Sequence, residues 1–294
     1  MQLTLTGYST ALFSTWFFVE ELGLLFDAGD GVAAGLLQKS RKIKHVFISH
    51  ADRDHLTGLL QLKQLNAQKG FPIIYYPKDC GSFPHLEAFS KKFDPHVSGT
   101  IWKPIEEGME IEIKKGIFVK AIRNNHVLAE KGVSKSLSFK VFEKKTKLKP
   151  EFLQYSGKEI QQLMKTKGKA ALTEEIESKL ISYSGDTPVE DYERWNGSKV
   201  LIHEATFLGG EENIKAKPHG NQHSTLEEVM EMVSNIDIGS LVLSHFSSRY
   251  SPTEIDNRIK SLCEKYGVEI PVYRVLPGEI HRDILKGKNH LIQI

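Results

Sequence analysis

The segment from Val46 to Leu59, with the sequence VFISHADRDHLTGL, constrains the fold more than any other part of the chain. It begins with an apolar run that is typical of a buried strand and ends with apolar residues at helical spacing. Between these two elements, four potential metal ligands occur within six residues: His50, Asp52, Asp54 and His55. Imidazole and carboxylate ligands together suit zinc or manganese, so the segment predicts a metal site at a strand end.

Apolar periodicity and turn residues predict short strands with helices between them along the rest of the chain. Strands are predicted at about 2–6, 15–20, 22–27, 45–49, 71–77, 100–105, 109–113, 117–123, 136–142, 180–184, 199–203 and 240–245. Helices are predicted at about 31–39, 56–68 and 83–92, and two more should begin at the capping pairs Ser224/Glu227 and Ser251/Glu254. Strands outnumber helices in each half, which favours an α/β sandwich with mixed sheets over a doubly wound parallel sheet.

The composition excludes several classes of protein. Lys and Arg total 39 and Asp and Glu total 37, so the net charge of +2 demands neither nucleic acid nor an anionic membrane. There is no uninterrupted apolar run of about 18 residues, and the N-terminus lacks the features of a secretory signal. The two cysteines, Cys80 and Cys263, cannot form a disulfide framework. We therefore expect them to have packing roles, and we expect a cytoplasmic protein with no membrane partner.

Positive charge is concentrated in residues 144–169, where eight lysines face two glutamates. This segment carries +6, which leaves −4 on the remainder of the chain. One interpretation is a solvated surface insertion. The other is an arm that binds a polyanion by neutralising its phosphates. The sequence leaves both open, and it predicts one domain over 1–294 with an arm-like insertion at about 143–180.

The HADRDH run at 50–55 resembles the HxHxDH signature of the metallo-β-lactamase superfamily of metallohydrolases. Later residues follow in that family's order: His126 in RNNHVL, Asp186 in ISYSGDT and His245 in LVLSHFSSRY. The resemblance implies an α/β (α+β) fold, a four-layer αββα sandwich with two mixed β-sheets flanked by helices.

Three further segments narrow the resemblance to ribonuclease Z, which trims the 3′ ends of precursor tRNA, and to its phosphodiesterase relatives. These segments are LIHEATF at 201–207, QHST at 222–225 and SHFSSRY at 244–250. The resemblance implies two divalent metal ions, zinc before manganese. The first ion would take His50, Asp52 and His126, the second would take Asp54, His55 and His245, and Asp186 would bridge them.

The same resemblance implies roles in hydrolysis. Two metal ions about 3.5–4 Å apart hold a hydroxide and stabilise the attacking and leaving oxygens of an in-line displacement. Asp54 would also accept a proton, while His223, oriented by Glu204, would protonate the leaving oxygen. Three residues just past the last ligand would hold phosphate oxygens: Ser247, Ser248 and Arg249.

The sequence departs from ribonuclease Z at three points. Asp52 stands where that family has histidine, which predicts a weaker Lewis acid and a greater tolerance for manganese. The basic segment lacks the family's Gly-Pro signature. GYSTALFSTW at 7–16 replaces an arginine-containing pattern after the first strand. Hydrolysis is still expected, while the tRNA substrate is less strongly indicated.

Several other polar residues have structural interpretations. We expect His203 to form hydrogen bonds in the core and His219 to lie in an exposed loop. Asp27 and Asp30 read as turn formers in DAGDG. Surface positions are expected for the remaining histidines: His45, His85, His96, His281 and His290.

Three alternatives to a ribonuclease remain open on sequence grounds. The first is a phosphodiesterase for a small molecule such as a cyclic nucleotide. The second is a hydrolase for a lactone, lactam or thioester. The third is a metal-bearing RNA-binding protein with little catalysis. A homodimer is implied by resemblance alone, and it would let one subunit's basic segment serve the other's site.

Overall fold

A computed structural model describes residues 2–66, 68–93, 99–209 and 221–286. The first sheet has six strands in the order β1 to β6, with β1 to β3 antiparallel and the pairs from β3 to β6 parallel. These strands are β1 (Leu5–Thr10), β2 (Ser14–Val19), β3 (Leu24–Phe26), β4 (His45–Phe47), β5 (Ile73–Pro77) and β6 (Ile101–Ile105).

The second sheet has seven strands in the order β13-β12-β11-β10-β9-β8-β7. The pairs from β10 to β13 are parallel, and those from β7 to β10 are antiparallel. These strands are β7 (Glu110–Lys114), β8 (Ile117–Arg123), β9 (Leu137–Leu148), β10 (Thr173–Tyr183), β11 (Val200–Glu204), β12 (Leu241–Ser244) and β13 (Val272–Arg274).

Eight α-helices and several 3-10 turns connect the described strands. The helices are α1 (Val32–Leu36), α2 (Arg53–Leu56), α3 (Leu59–Asn66), α4 (Ser82–Phe93), α5 (Gly157–Lys167), α6 (Lys169–Leu172), α7 (Leu226–Ser234) and α8 (Pro252–Tyr266). The 3-10 turns are Glu20–Leu22, Leu37–Lys42, Pro150–Phe152 and Tyr192–Arg194. No described helix is long and apolar enough to cross a membrane.

Successive side chains of a strand face opposite sides of its sheet, so the buried apolar residues form three separate cores. Phe17 faces the second sheet in a core that contains Phe139 and Tyr183, while Trp16 and Phe18 face the helices on the other side. Leu201 and Leu243 of the second sheet pack against α7 and α8. The chain therefore forms four layers, helix, sheet, sheet and helix, which confirms the predicted sandwich.

The helix predicted over 56–68 is divided into α2 and α3 at Gly58. A Cβ atom at Gly58 would lie 2.2 Å from the carbonyl oxygen of Gly29 and 2.9 Å from that of Ala28. The Gly58 N–H also donates to the Ala28 oxygen at 2.8 Å. The helix is interrupted because its backbone packs directly on the DAGDG turn, a contact that periodicity does not reveal.

The capping pair predicted at Ser224 and Glu227 is wrong by one residue. The N-cap of α7 is Thr225, which forms a capping box with Glu228. The Ser224 hydroxyl instead donates to the Thr187 carbonyl at 2.5 Å. Ser224/Glu227 and Thr225/Glu228 have the same spacing in the sequence. Only the contact of Ser224 with Thr187 shows which pair caps the helix. The box at Ser251 and Glu254 is confirmed.

Strands β9 and β10 are longer than predicted and extend into the lysine-rich region as an antiparallel pair. Lys144 lies opposite Glu177, and Lys147 lies opposite Glu174. Helices α5 and α6 connect the far ends of these strands. The charged residues of this pair lack the apolar alternation by which a strand is recognised in sequence.

Two of the histidines expected at the surface are buried. His45 is 7% exposed and stacks on Tyr75, and His281 is also 7% exposed, with its Nε2 accepting from the Leu276 N–H. His85 is exposed as predicted. His96, His219 and His290 lie outside the described residues.

Candidate active site

The predicted site residues converge at one edge of the sandwich because each follows the carboxyl end of a strand. The segment from His50 to His55 follows β4 and continues into α2. His126 follows β8, Asp186 follows β10, and His245 follows β12 directly. Strands of both sheets therefore contribute side chains to a common point.

One group of potential ligands consists of His50, Asp52 and His126. The Nε2 atoms of both histidines lie 3.6 Å from Asp52 Oδ2. The ligand atoms of this group lie within 4.8 Å of one another. This spacing brings three donors around one point, as a single ion requires.

A second group consists of Asp54, His55 and His245. The Nε2 atoms of both histidines lie 3.5 Å from Asp54 Oδ2. Asp186 lies between the two groups: its Oδ2 is 3.8 Å from His50 Nε2 and 3.3 Å from the Nε2 atoms of His55 and His245. The seven residues expected to bind metal are therefore adjacent in space.

The four histidines of these groups are oriented by hydrogen bonds at Nδ1. His55 Nδ1 lies 2.8 Å from Asp27 Oδ2, and His126 Nδ1 lies 2.8 Å from the Gln222 carbonyl. His50 Nδ1 lies 2.9 Å from Ser49 Oγ, and His245 Nδ1 lies 2.9 Å from Thr206 Oγ1. With Nδ1 as donor, the Nε2 lone pair of each ring points into the cluster.

These residues fit metal ions. The Nε2 atoms of His50, His55, His126 and His245 are buried, and within the described part of the chain none has a hydrogen-bond partner. A buried nitrogen without a partner is unfavourable by about 1–3 kcal/mol. Four such atoms aimed at carboxylate oxygens form a donor set that a divalent cation would satisfy.

The electrostatics of the cluster favour cations. His126 and His50 hold the pKa of the Asp52 carboxyl well below its usual value. Burial opposes ionisation of Asp54, but His245 and His55 outweigh it, so its pKa is also lowered. These carboxylates are therefore ionised.

Asp186 and His55 stabilise each other's charged forms. Burial opposes ionisation of Asp186, yet His245 and His55 lower its pKa well below the usual value. Burial also disfavours a charged His55, yet Asp186 and Asp27 raise its pKa. Negative potential in a buried cluster is what a metal ion neutralises.

Glu204 and His223 form an ion pair beside the cluster. Glu204 is 1% exposed, and its Oε1 lies 3.1 Å from His223 Nδ1 and accepts from the Thr187 N–H at 2.7 Å. Burial disfavours a charged His223, but Glu204 outweighs it and raises the pKa to about 9. Glu204 is too enclosed to contact a substrate, so it positions His223, which lies 3.9 Å from Asp186 Oδ2.

Thr206 links this ion pair to the cluster and was not identified from the sequence. Its hydroxyl donates to Glu204 Oε2 and accepts from His245 Nδ1 at 2.9 Å. Thr206 lies two residues after Glu204 in HEATF. In an extended segment, alternate side chains face the same side, so the sequence could have indicated that Thr206 lies on the side of Glu204.

Asp27 has a different role from that predicted. It is 0% exposed, and its carboxylate accepts from the Ser49 N–H at 2.7 Å, from the Tyr183 hydroxyl at 2.5 Å and from His55 Nδ1. It therefore orients His55 and joins the two sheets, and the prediction of a turn at Asp27 is wrong because the turn begins at Asp30. The position of Asp27 directly after β3 could have indicated this role in the sequence, because the candidate ligands also follow the ends of strands.

The segment after His245 is held against Thr206. The Ser247 N–H donates to the Thr206 carbonyl at 3.0 Å, and Arg249 Nε donates to Ser247 Oγ at 3.1 Å. Ser248 and Arg249 are exposed. Arg249 lies over the rings of Phe207 and Tyr250, at 5.6 and 5.9 Å from their centres.

The interpretation of His203 as a core residue agrees with its geometry. The residue is buried, its Nδ1 lies 2.7 Å from the Glu204 carbonyl, and its ring meets Trp195 edge to face. Neighbouring residues on a strand face opposite sides, so His203 faces away from the side occupied by Glu204.

Comparison with known proteins agrees with this geometry. A family model described as "Beta-lactamase superfamily domain" matches residues 23–246. The chain is 29% identical over 226 residues to tRNase Z TRZ1 from Arabidopsis thaliana, which covers 74% of this chain and 77% of that protein.

Solved structures share the fold. The metallo-beta-lactamase fold protein YhfI from Bacillus subtilis has a TM-score of 0.64 at 13% identity, covering 96% of this chain and 100% of that one. Human tRNase Z, short form, has a TM-score of 0.60 at 20% identity, covering 95% and 98%. The chain therefore belongs to the beta-lactamase superfamily and is one of its metal-dependent hydrolases.

Proposed function

We propose that this protein is a dinuclear metal-dependent phosphodiesterase of the ribonuclease Z type, with RNA such as the 3′ end of precursor tRNA as its substrate. The observation that carries the proposal is the convergence of two ligand groups on Asp186 beside the Glu204–His223 pair. Relatives named tRNase Z or ribonuclease Z support the RNA substrate.

Metal ions would be held by His50, Asp52 and His126 on one side and by Asp54, His55 and His245 on the other, with Asp186 shared. Bound divalent ions, zinc with manganese tolerated, would supply Lewis acidity and lower the pKa of the attacking water. The three carboxylates and four imidazoles offer both oxygen and nitrogen donors, which suits either metal.

The chain's own residues would move the protons. Asp54 would accept the proton of the attacking water. His223, charged and held at Nδ1 by Glu204, would donate a proton from Nε2 to the leaving oxygen. Arg249, Ser247 and Ser248 would contact phosphate oxygens beside the cluster. General acid catalysis of this kind is typically worth about 10²–10⁴-fold in rate.

Two measurements test this function: metal analysis of the purified protein, and incubation with precursor tRNA in zinc or manganese. We expect stoichiometric metal and cleavage of the precursor tRNA at its 3′ end.

The substitution Glu204→Gln tests the proton donor. His223 loses its anionic partner in this variant, so kcat should fall by about 10²-fold and the alkaline limb of the pH–rate profile should move to lower pH. An unchanged pH profile would contradict the assigned proton donor.

A phosphodiesterase for a small molecule is the second candidate. It is favoured by the uncharged turn at 11–13, where the Leu12 N–H donates to Asp54 Oδ2 at 3.1 Å in place of an arginine-bearing segment. Cleavage of bis-p-nitrophenyl phosphate without cleavage of precursor tRNA would select this candidate.

We also propose that the protein forms a homodimer in which residues 143–180, the β9–β10 extension, of one subunit reach the other's site. A subunit of 33.2 kDa would then give a species of twice that mass in light scattering. A monomeric mass would rule this arrangement out.

A further inference from the structure

A shallow cavity of about 380 Å³ lies between the β1–β2 turn and the segment that follows His245. Three aromatic residues, Tyr8, Phe13 and Tyr250, line it together with Pro277, and Thr10 and Ser248 add hydroxyl groups. None of the residues that line the cavity is charged. The volume is within the range of about 300–1,000 Å³ that is typical of small-molecule sites.

Two loops that contact the metal-ligand cluster form the walls of this cavity. Leu12, whose N–H donates to Asp54 Oδ2, immediately precedes Phe13. Ser248 and Tyr250 follow His245 by three and five residues. The first loop is fixed against the second because the Ala11 N–H donates to the Phe246 carbonyl at 3.3 Å. The walls of the cavity are therefore continuous with the two segments that contact Asp54 and carry His245.

The Phe13 side chain is largely open to solvent at the wall of this cavity. It is 62% exposed, although a phenylalanine side chain normally stabilises a protein by burial. It stands in the turn between β1 and β2, within the GYSTALFSTW sequence at 7–16 that replaces the family's arginine-containing pattern. An aromatic side chain at the border of a polar site offers a flat surface on which a ligand ring can stack.

We propose that this cavity binds one nucleobase of the substrate, unstacked from its neighbours and adjacent to the scissile phosphate. The inference rests on the proposed function, since it assigns a substrate element to that same site. Phe13 and Tyr250 supply stacking surfaces, and the Thr10 hydroxyl supplies a hydrogen bond for the base edge.

A neutral planar ring fits these walls better than a phosphate or a charged side chain. An uncharged lining offers no counter-charge, so an ion entering it would lose hydration without compensation. Single-stranded RNA is commonly recognised by stacking unpaired bases on aromatic side chains. Arg249, at 5.9 Å from the Tyr250 ring centre, places a cation at the rim, where the phosphate that carries the base would lie.

The test compares two esters with the same p-nitrophenolate leaving group. The p-nitrophenyl ester of adenosine 5′-phosphate carries a base, and methyl p-nitrophenyl phosphate does not. In Phe13→Ala the ratio of the two kcat/KM values should fall about tenfold, because the base loses one aromatic side chain on which it stacks. Phe13→Trp should keep the ratio within about threefold of wild type, because the stacking surface is retained.

Phe89→Ala is the matched control, because Phe89 is 54% exposed on α4 and does not line the cavity. It should leave the ratio unchanged, and an unchanged ratio in Phe13→Ala would overturn the inference. If wild type hydrolyses neither ester, cleavage of precursor tRNA still decides the proposed function, and calorimetric titration of the metal-loaded protein with adenosine 5′-monophosphate decides the inference. An affinity about tenfold weaker in Phe13→Ala would then support the cavity, whereas equal affinities or no binding to wild type would refute it.

Discussion

Asp52 has the most accessible side chain among the seven residues of the cluster. That side chain is 46% exposed, and Asn221 Nδ2 donates to its Oδ2 at 2.9 Å. A carboxylate here adds a negative charge to those of Asp54 and Asp186, so the cluster carries −3 when all three are ionised. A harder and more negative donor set reduces the Lewis acidity of bound ions and suits manganese better than imidazole would.

The substitution Asp52→His exchanges one oxygen donor for nitrogen and removes one negative charge. We expect the ratio of the manganese-supported to the zinc-supported rate to fall about three- to tenfold, because imidazole is the softer ligand. Asp30→His serves as the control, since Asp30 is exposed in the DAGDG turn. Equal ratios in wild type and Asp52→His would show that position 52 does not determine metal preference.

Asp27 controls the cluster from behind His55. In Asp27→Asn the acceptor of the His55 Nδ1 proton becomes neutral, and the ring is less firmly oriented. Loss of such a partner typically weakens metal binding about 10–100-fold. Competition with a metal indicator measures the affinity directly, and Asp79→Asn provides a loop carboxylate that bonds only to the Ser134 backbone among described contacts. An affinity within twofold of wild type would contradict the role given to Asp27.

At the scale of elements, the β9–β10 extension distributes charge differently from what the composition of 144–169 suggests. Residues 143–180 contain nine lysines and six glutamates, a net of +3. Near the sheet, Lys144 pairs with Glu110 at 3.1 Å and Lys145 pairs with Glu143 at 2.8 Å. The lysines of α5 and α6 are exposed, and they are Lys158, Lys165, Lys167 and Lys169. Positive charge is therefore greatest on the helices at the tip.

Replacing Lys158, Lys165 and Lys167 with Gln tests whether this tip binds RNA. If each contacts a phosphate, the slope of log K against log salt for precursor tRNA should become less steep by roughly 0.7–0.9 per lysine. Hydrolysis of bis-p-nitrophenyl phosphate should persist, since the tip adjoins the amino end of β10 and Asp186 follows its carboxyl end. The control replaces three exposed lysines elsewhere: Lys115, Lys199 and Lys260. Equal slopes in the two triple variants would identify the extension as a solvated insertion.

At the scale of the whole molecule, burial of His45 makes folding depend on pH. Burial lowers the pKa of His45 from 6.5 to about 4. Between these values the unfolded chain binds a proton that the folded chain does not. The contribution of His45 to stability is therefore complete above about pH 6.5 and is lost as the pH falls towards 4.

His45→Phe should reduce the loss of stability on acidification. Between about pH 7.5 and about pH 5, the free energy of unfolding should fall about 2 kcal/mol less in the variant than in wild type. Urea titrations in EDTA measure this difference without a contribution from bound metal. His85→Phe, at an exposed site, should match wild type. If the free energy of unfolding fell equally in all three proteins, His45 would have to be exposed to water in the folded state.

The sequence by itself determined the layered fold and the places along the chain where the candidate ligands stand. Alternating apolar residues identify strands because one strand face must be buried, and His50, His126 and His245 stand where those patterns end. Local patterns also located α8, whose capping box involves only neighbouring residues. Each of these features depends on contacts close in sequence.

Only the tertiary structure decided which polar side chains face the cluster and which groups hold them. Asp27 and His55 are 28 residues apart, and Tyr183 is 156 residues from Asp27. The break at Gly58 and the burial of His45 likewise depend on segments that meet only after the sheets pack. Such contacts leave no period in the sequence, because burial and hydrogen bonding depend on distance in space.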